Sequence, residues 1–63
     1  MQSQYPYYTV EGRRFEYKNF HFAVHFARDM ANRMNRSVHV IRALDRMTPD
    51  AVIYTAEPEE DGP

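Results

Sequence analysis

The sequence predicts an α+β domain of order β-β-α-β-β, in which one amphipathic helix packs on one face of a mainly antiparallel sheet. Three observations predict this architecture. Residues 5–18 alternate apolar and polar side chains around a tight turn, as a β-hairpin does. Residues 19–35 change to a helical period of 3.6. Residues 37–43 and 51–55 return to β-branched and aromatic runs of strand length.

The predicted hairpin turns at Glu11-Gly12, where Gly can take a positive φ. A two-residue turn sets Val10 opposite Arg13 and Tyr8 opposite Phe15, and a bulge would shift one strand by one residue. The face predicted to be buried carries Tyr8, Val10, Phe15 and Tyr17. The opposite face carries Tyr7, Thr9, Arg14 and Glu16.

The helix is predicted to begin after Asn19, whose side chain suits an N-cap, and to end at Asn35, which tolerates a left-handed backbone. Its apolar residues recur at spacings of three and four, which places them on one stripe against the sheet. The stripe comprises Phe20, Ala23, Val24, Ala27, Met30, Ala31 and Met34.

In the third predicted strand, Val38 and Val40 share one face, while His39 and Ile41 share the other. This strand can pair with either hairpin strand on the sequence evidence. A fourth strand, 51–55, follows a loop, and its register decides whether Tyr54 or Ile53 joins the uncovered face.

The formal net charge of −1 conceals a division along the chain of 63 residues. Residues 57–63 contain four acids and no base, which leaves eight bases and five acids, or +3, in residues 1–56. We therefore expect one domain over residues 1–56 and an acidic, disordered tail over residues 57–63. The tail is either a solubilising end or a competitor that covers the basic face until a partner displaces it.

The composition argues against several functional classes. The chain contains no Cys, which excludes disulfides and thiolate zinc sites, and its two Gly residues form no phosphate-binding loop. We expect no enzymatic activity, no cofactor and no small-molecule substrate. The sequence has no leader-like segment and no long apolar stretch, so no membrane association is expected and a cytoplasmic location is predicted.

The best candidates for function lie on two apolar surfaces. One helix covers only one face of a sheet, so Tyr7, His39 and Ile41 are expected on an open face. Phe22 and Phe26 lie beside the core stripe and widen the apolar arc of the helix. We therefore expect a regulatory protein-interaction protein that binds another protein or forms a homodimer through these residues. Alternatively, the sheet curls and the loop at 44–47 covers the two rings.

A second hypothesis is a nucleic-acid-binding module, in which Tyr side chains stack on bases and Arg side chains meet phosphates. Its candidate residues are Arg14, Arg28, Arg33 and Arg36. His21 and His25 have the i, i+4 spacing of two metal ligands, but Phe22 replaces the Glu of the zinc-hydrolase motif. They are weak candidates, and no metal is expected.

The length and the strand–strand–helix–strand order resemble those of small phage-encoded proteins that inhibit host enzymes. The resemblance lies in organisation, and no motif carries it. It implies a phage or bacterial origin and action by binding another protein.

Overall fold

The computed structural model describes residues 5–11, 13 and 15–59 of the chain. Its elements follow the order β1 (Tyr7–Val10), α1 (Phe20–Met34), β2 (Val38–Ala43) and β3 (Ala51–Ala56). The strands form one antiparallel sheet in the order β1-β2-β3, and α1 packs against all three of them. The chain is therefore a small α+β domain, as predicted, and the strand of uncertain pairing lies next to β1.

The predicted strand over residues 13–18 is wrong, and the order is β-α-β-β. The turn itself closes as expected, since the Arg13 N–H donates to the Val10 carbonyl at 3.0 Å. Beyond it Tyr17 forms an isolated bridge with Tyr8, exchanging two backbone hydrogen bonds of 2.8 and 2.7 Å. Tyr17 follows Arg13 by four residues, whereas Tyr8 precedes Val10 by only two. The returning segment therefore contains two residues more than a regular ladder would need.

The two extra residues change which side chains of this segment are buried. Because two is an even number, Tyr17 keeps the same face as Tyr8, and both lie half-buried against the core beside buried Val10. Phe15, predicted to be buried, is instead 66% exposed because it lies where the chain has left the ladder. Of the predicted outer residues, Glu16 is exposed, and Arg14 lies outside the described residues.

Both helix ends confirm the predicted caps. The Asn19 side-chain oxygen accepts a hydrogen bond from the His21 N–H at 2.8 Å. Asn35 adopts φ 55° and ψ 46°, and its N–H donates to the carbonyl of Ala31. Met34, predicted on the core stripe, is 47% exposed. It is the last helical residue, and its sulfur accepts a hydrogen bond from Arg36 Nη2 instead of packing on the sheet.

Among the described residues, the buried core contains mainly small side chains together with Met30, and no aromatic ring. Its largest fully buried residues are Val10, Val38 and Val40. The helix adds Ala23, Ala27, Met30 and Ala31, and β3 adds Ala56. The rings of Tyr8, Tyr17, Phe20 and Tyr54 pack around this cluster only half-buried. Phe20 lies 5.5 Å from Tyr8 and 6.3 Å from Tyr54 between ring centroids, which closes one end of the core.

A β-bulge between β2 and β3 decides the faces of the last strand. Val40 pairs with Tyr54 and Ile41 pairs with Val52, so Ile53 is an extra residue in β3. As a result Ile53 and Tyr54 both pack against the core. The expectation that one of them joins the open face is therefore wrong, and Val52 lies there instead, 55% exposed.

Helix α1 has 15 residues, whereas a span across the hydrocarbon core of a bilayer needs about 20 apolar residues. Accordingly, the described part of the chain contains no helix that is long and apolar enough to cross a membrane.

Replacing Val40 by Ala tests the position of the core. Val40 is fully buried on the central strand, so Val40→Ala should lower the free energy of unfolding by about 1.5–3 kcal/mol through lost burial and a residual cavity. The matched control is Val52→Ala on the exposed face, which should cost less than about 1 kcal/mol. Urea unfolding followed by circular dichroism measures both, and equal losses would contradict this core.

Candidate interaction surface

Four aromatic side chains make up a surface beside the helix, called here the aromatic flank: Phe15, Tyr17, Phe22 and Phe26. The i, i+4 spacing places Phe22 and Phe26 on one side of α1, away from the buried alanines. The Tyr17 ring lies 6.0 Å from Phe26, and the Phe15 ring lies 4.7 Å from Tyr17. The segment before the helix therefore extends the apolar surface that the helix begins.

Three of the four rings of the aromatic flank are exposed to solvent. Phe15 is 66% exposed, Phe22 65% and Phe26 39%. Together they present roughly 300 Å² of ring surface, which is the size of the largest apolar patches on monomeric proteins. The loop predicted as an alternative cover leaves Phe22 exposed, and its own Met47 is 91% exposed. These rings are thus accessible to a partner.

The open face of the sheet is the second predicted surface, and the register places Tyr7, His39 and Ile41 on it. Ile41 pairs with Thr9 on one side and with Val52 on the other. His39 Nδ1 lies 3.0 Å from the Thr55 hydroxyl. This face is therefore a mixture of aliphatic, hydroxyl and imidazole groups, less apolar than the aromatic flank.

Arg36 binds Glu11 with a two-pronged ion pair. Its Nη1 donates to Glu11 Oε2 and its Nη2 to Glu11 Oε1, the latter at 3.1 Å. Glu11 has a positive φ of 57°, and its N–H donates to the His39 carbonyl at 2.9 Å. The hydrogen bond from Arg36 lowers the pKa of the Glu11 carboxyl. The pair ties the turn after β1 to the end of the helix.

Two other arginines of the predicted nucleic-acid set also pair with carboxylates. Arg33 lies 3.1 Å from Asp29, four residues earlier in the helix. Arg28 lies 3.4 Å from Glu59, at the far end of the chain. Arg14 lies outside the described residues. Every described arginine of this set is therefore matched by an acidic partner within the same chain.

The first residues of the predicted acidic tail lie along the other flank of the helix. The Ser37 hydroxyl donates to Glu57 at 2.6 Å, and the Glu59 N–H donates to the Asn32 side chain at 2.7 Å. A shallow depression of about 360 Å³ lies beside this segment and is lined by Glu59 and by four side chains of α1, His25, Arg28, Asp29 and Asn32. Residues 60–63 lie outside the described residues. Sequence reasoning did not predict the role of Asn32 in holding this segment.

His21 and His25 lie one helical turn apart, as their spacing predicts. His25 lines the depression beside Arg28, while the backbone N–H of His21 is used by the Asn19 cap. In residues 5–11, 13 and 15–59, no group of three or more His, Asp or Glu side chains is placed to hold a metal ion.

A scan against models of known protein families, a search of curated proteins and a search of solved structures each found no match to this chain. What the chain does is therefore inferred from its own surfaces.

The Glu11–Arg36 pair predicts a specific dependence of stability on pH. The folded state holds the pKa of Glu11 below its ordinary value of 4.5, so the pair stabilises the fold above that value. This contribution disappears as the pH falls through the lowered pKa. Glu11→Gln should lower the free energy of unfolding at neutral pH. The free energy of unfolding of this variant should also fall less steeply than that of the wild-type chain as the pH is lowered. Urea unfolding between about pH 7 and pH 2 measures this.

The control for the ion pair is Arg36→Gln, which removes the other partner. Each single variant should lose the same acid-dependent contribution, and the double variant should lose little more. Additive losses would show that the two side chains act independently, contrary to the geometry.

Proposed function

We propose that this chain is a small non-enzymatic interaction protein, which regulates by binding another protein or a second copy of itself. The aromatic flank is its principal contact surface, and the open face of the sheet is a second one. The observation that carries the proposal is the exposure of Phe15 and Phe22, each about two-thirds exposed, in a domain with no ring in its core.

The energetics of the aromatic flank support binding. Burying one large apolar side chain is worth about 1.5–3 kcal/mol, and Phe15, Phe22 and Phe26 lie close enough to be covered together. Aromatic residues are enriched at the centres of protein interfaces, where a few of them supply most of the affinity. A flat apolar partner surface would gain from all three rings without any rearrangement of α1.

The open sheet face is the weaker of the two surfaces. His39 already shares a hydrogen bond with Thr55, and Tyr7 is half-buried beside the Tyr5 ring at 5.3 Å. Less apolar area is therefore gained by covering Tyr7, His39 and Ile41 than by covering the aromatic flank. We propose that this face helps to orient the partner, while the aromatic flank supplies most of the affinity.

The nucleic-acid alternative receives less support from the charges. Arg28, Arg33 and Arg36 each lie within ion-pair distance of a carboxylate. A phosphate would have to displace these carboxylates, so part of the usual gain from phosphate contacts and counterion release is lost. We therefore favour a protein surface over a polyanion as the partner.

A photo-crosslinking side chain at position 22 tests the proposed function. Benzoylphenylalanine in place of Phe22 keeps an aromatic ring on the flank and should form covalent adducts with whatever covers it in the cell. The control carries the same group in place of Met47, which is 91% exposed on a loop away from the core. Gel mobility and peptide mass spectrometry identify the adducts.

The proposal predicts one dominant adduct at position 22 and only scattered products at position 47. Equal, scattered labelling at both positions would contradict it, because an exposed side chain alone would then explain the result.

A further inference from the structure

The core of this domain is unusually poor in large side chains. Its buried hydrophobic residues within the described part of the chain are five alanines, three valines and one methionine. All nine aromatic residues of the sequence lie outside that set. A single core in a domain of this size rarely supplies more than about 3–5 kcal/mol, and small domains often depend on association. The monomer therefore leaves exposed several of the large apolar side chains that its sequence contains.

A second copy is the partner that can supply this burial whenever the chain is present. Any partner that binds the folded but not the unfolded chain stabilises the fold by mass action. A different protein does so only where it is available, whereas a second copy is always at the same concentration. If folding depends on a bound partner, a second copy of the chain is therefore the favoured partner.

The charges beside the rings also fit a second copy. Asp29 and Arg33 follow Phe22 and Phe26 by seven residues each, so they continue the same helical stripe, and they pair at 3.1 Å. The charges that continue the ring stripe on the helix are therefore one acid and one base, which pair with each other. A patch that meets itself about a two-fold axis must avoid net charge, whereas an acidic or basic partner would select a charged patch.

We propose that the aromatic flank is the interface of a two-fold symmetric homodimer, whose formation completes the folding of the domain. The inference rests on the proposed function and names the partner for the same site. With the two α1 helices antiparallel, the i, i+4 spacing lets Phe22 of each copy meet Phe26 of the other copy. The rings contribute roughly 300 Å² per copy, against about 800 Å² in a standard interface. They would form its apolar centre, with Asp29 and Arg33 at the rim.

Analytical ultracentrifugation and thermal unfolding across about a hundredfold range of concentration test the dimer. The wild-type chain should sediment with twice its monomer mass and unfold at a higher temperature as its concentration rises. Phe22→Ala should weaken dimerisation at least about tenfold. The control Met47→Ala, at a 91% exposed loop position outside both proposed contact surfaces, should leave it unchanged.

Phe22→Ala that is unfolded when dilute and regains circular dichroism when concentrated would support coupled folding and dimerisation. A wild-type chain that stays monomeric, with an unfolding temperature independent of concentration, would overturn the dimer. A dimer that Phe22→Ala weakens no more than Met47→Ala does would overturn this interface. A monomer whose position 22 still crosslinks to one other protein would overturn only the second copy as partner. A monomer without a dominant adduct would overturn the proposed function as well.

Discussion

The structure depends on the contact between one narrow face of α1 and the sheet. The helix offers mainly alanines there, such as Ala23, Ala27 and Ala31, and the sheet offers Val10 and Val40. Interiors pack at nearly crystalline density, so a contact made of small side chains leaves no space for a ring. The aromatic residues are therefore placed at the margins, some closing the end of the core and others forming the aromatic flank.

The helix keeps its position because both of its ends are fixed. The Asn19 side chain caps the first turn, and the chain reverses through Asn35 in a left-handed conformation. Glu11 also has a left-handed backbone, at a cost of roughly 1–2 kcal/mol for a residue other than Gly. Its hydrogen bond to the His39 carbonyl and its ion pair with Arg36 offset that cost. The same ion pair also occupies the Arg36 guanidinium, which would otherwise be available to bind a phosphate.

Local signals predicted the helix and the last two strands, because periodicity and capping are properties of neighbouring residues. The prediction for residues 13–18 failed because an alternating pattern is compatible with a full ladder and also with an isolated bridge at Tyr17. Because a full strand was predicted there, Phe15 was assigned to the buried face and not to the contact surface. Phe22 was assigned to the contact surface from its helical spacing. The bulge at Ile53 and the ion pair of Arg28 with Glu59 join residues far apart in sequence, so no local pattern encodes them.

The aromatic rings lie outside a core of mainly small side chains, and this exposure is measured by the proton relaxation that a soluble paramagnetic probe causes. The measurement is made on dilute protein, with assigned ring protons of Phe15 and Phe22 and methyl protons of Ala27 and Val40. Strong relaxation is expected at the two rings, and little at the two methyl-bearing core residues. Protection of Phe22 equal to that of Val40 in a monomer would contradict it, because the ring would then belong to the core.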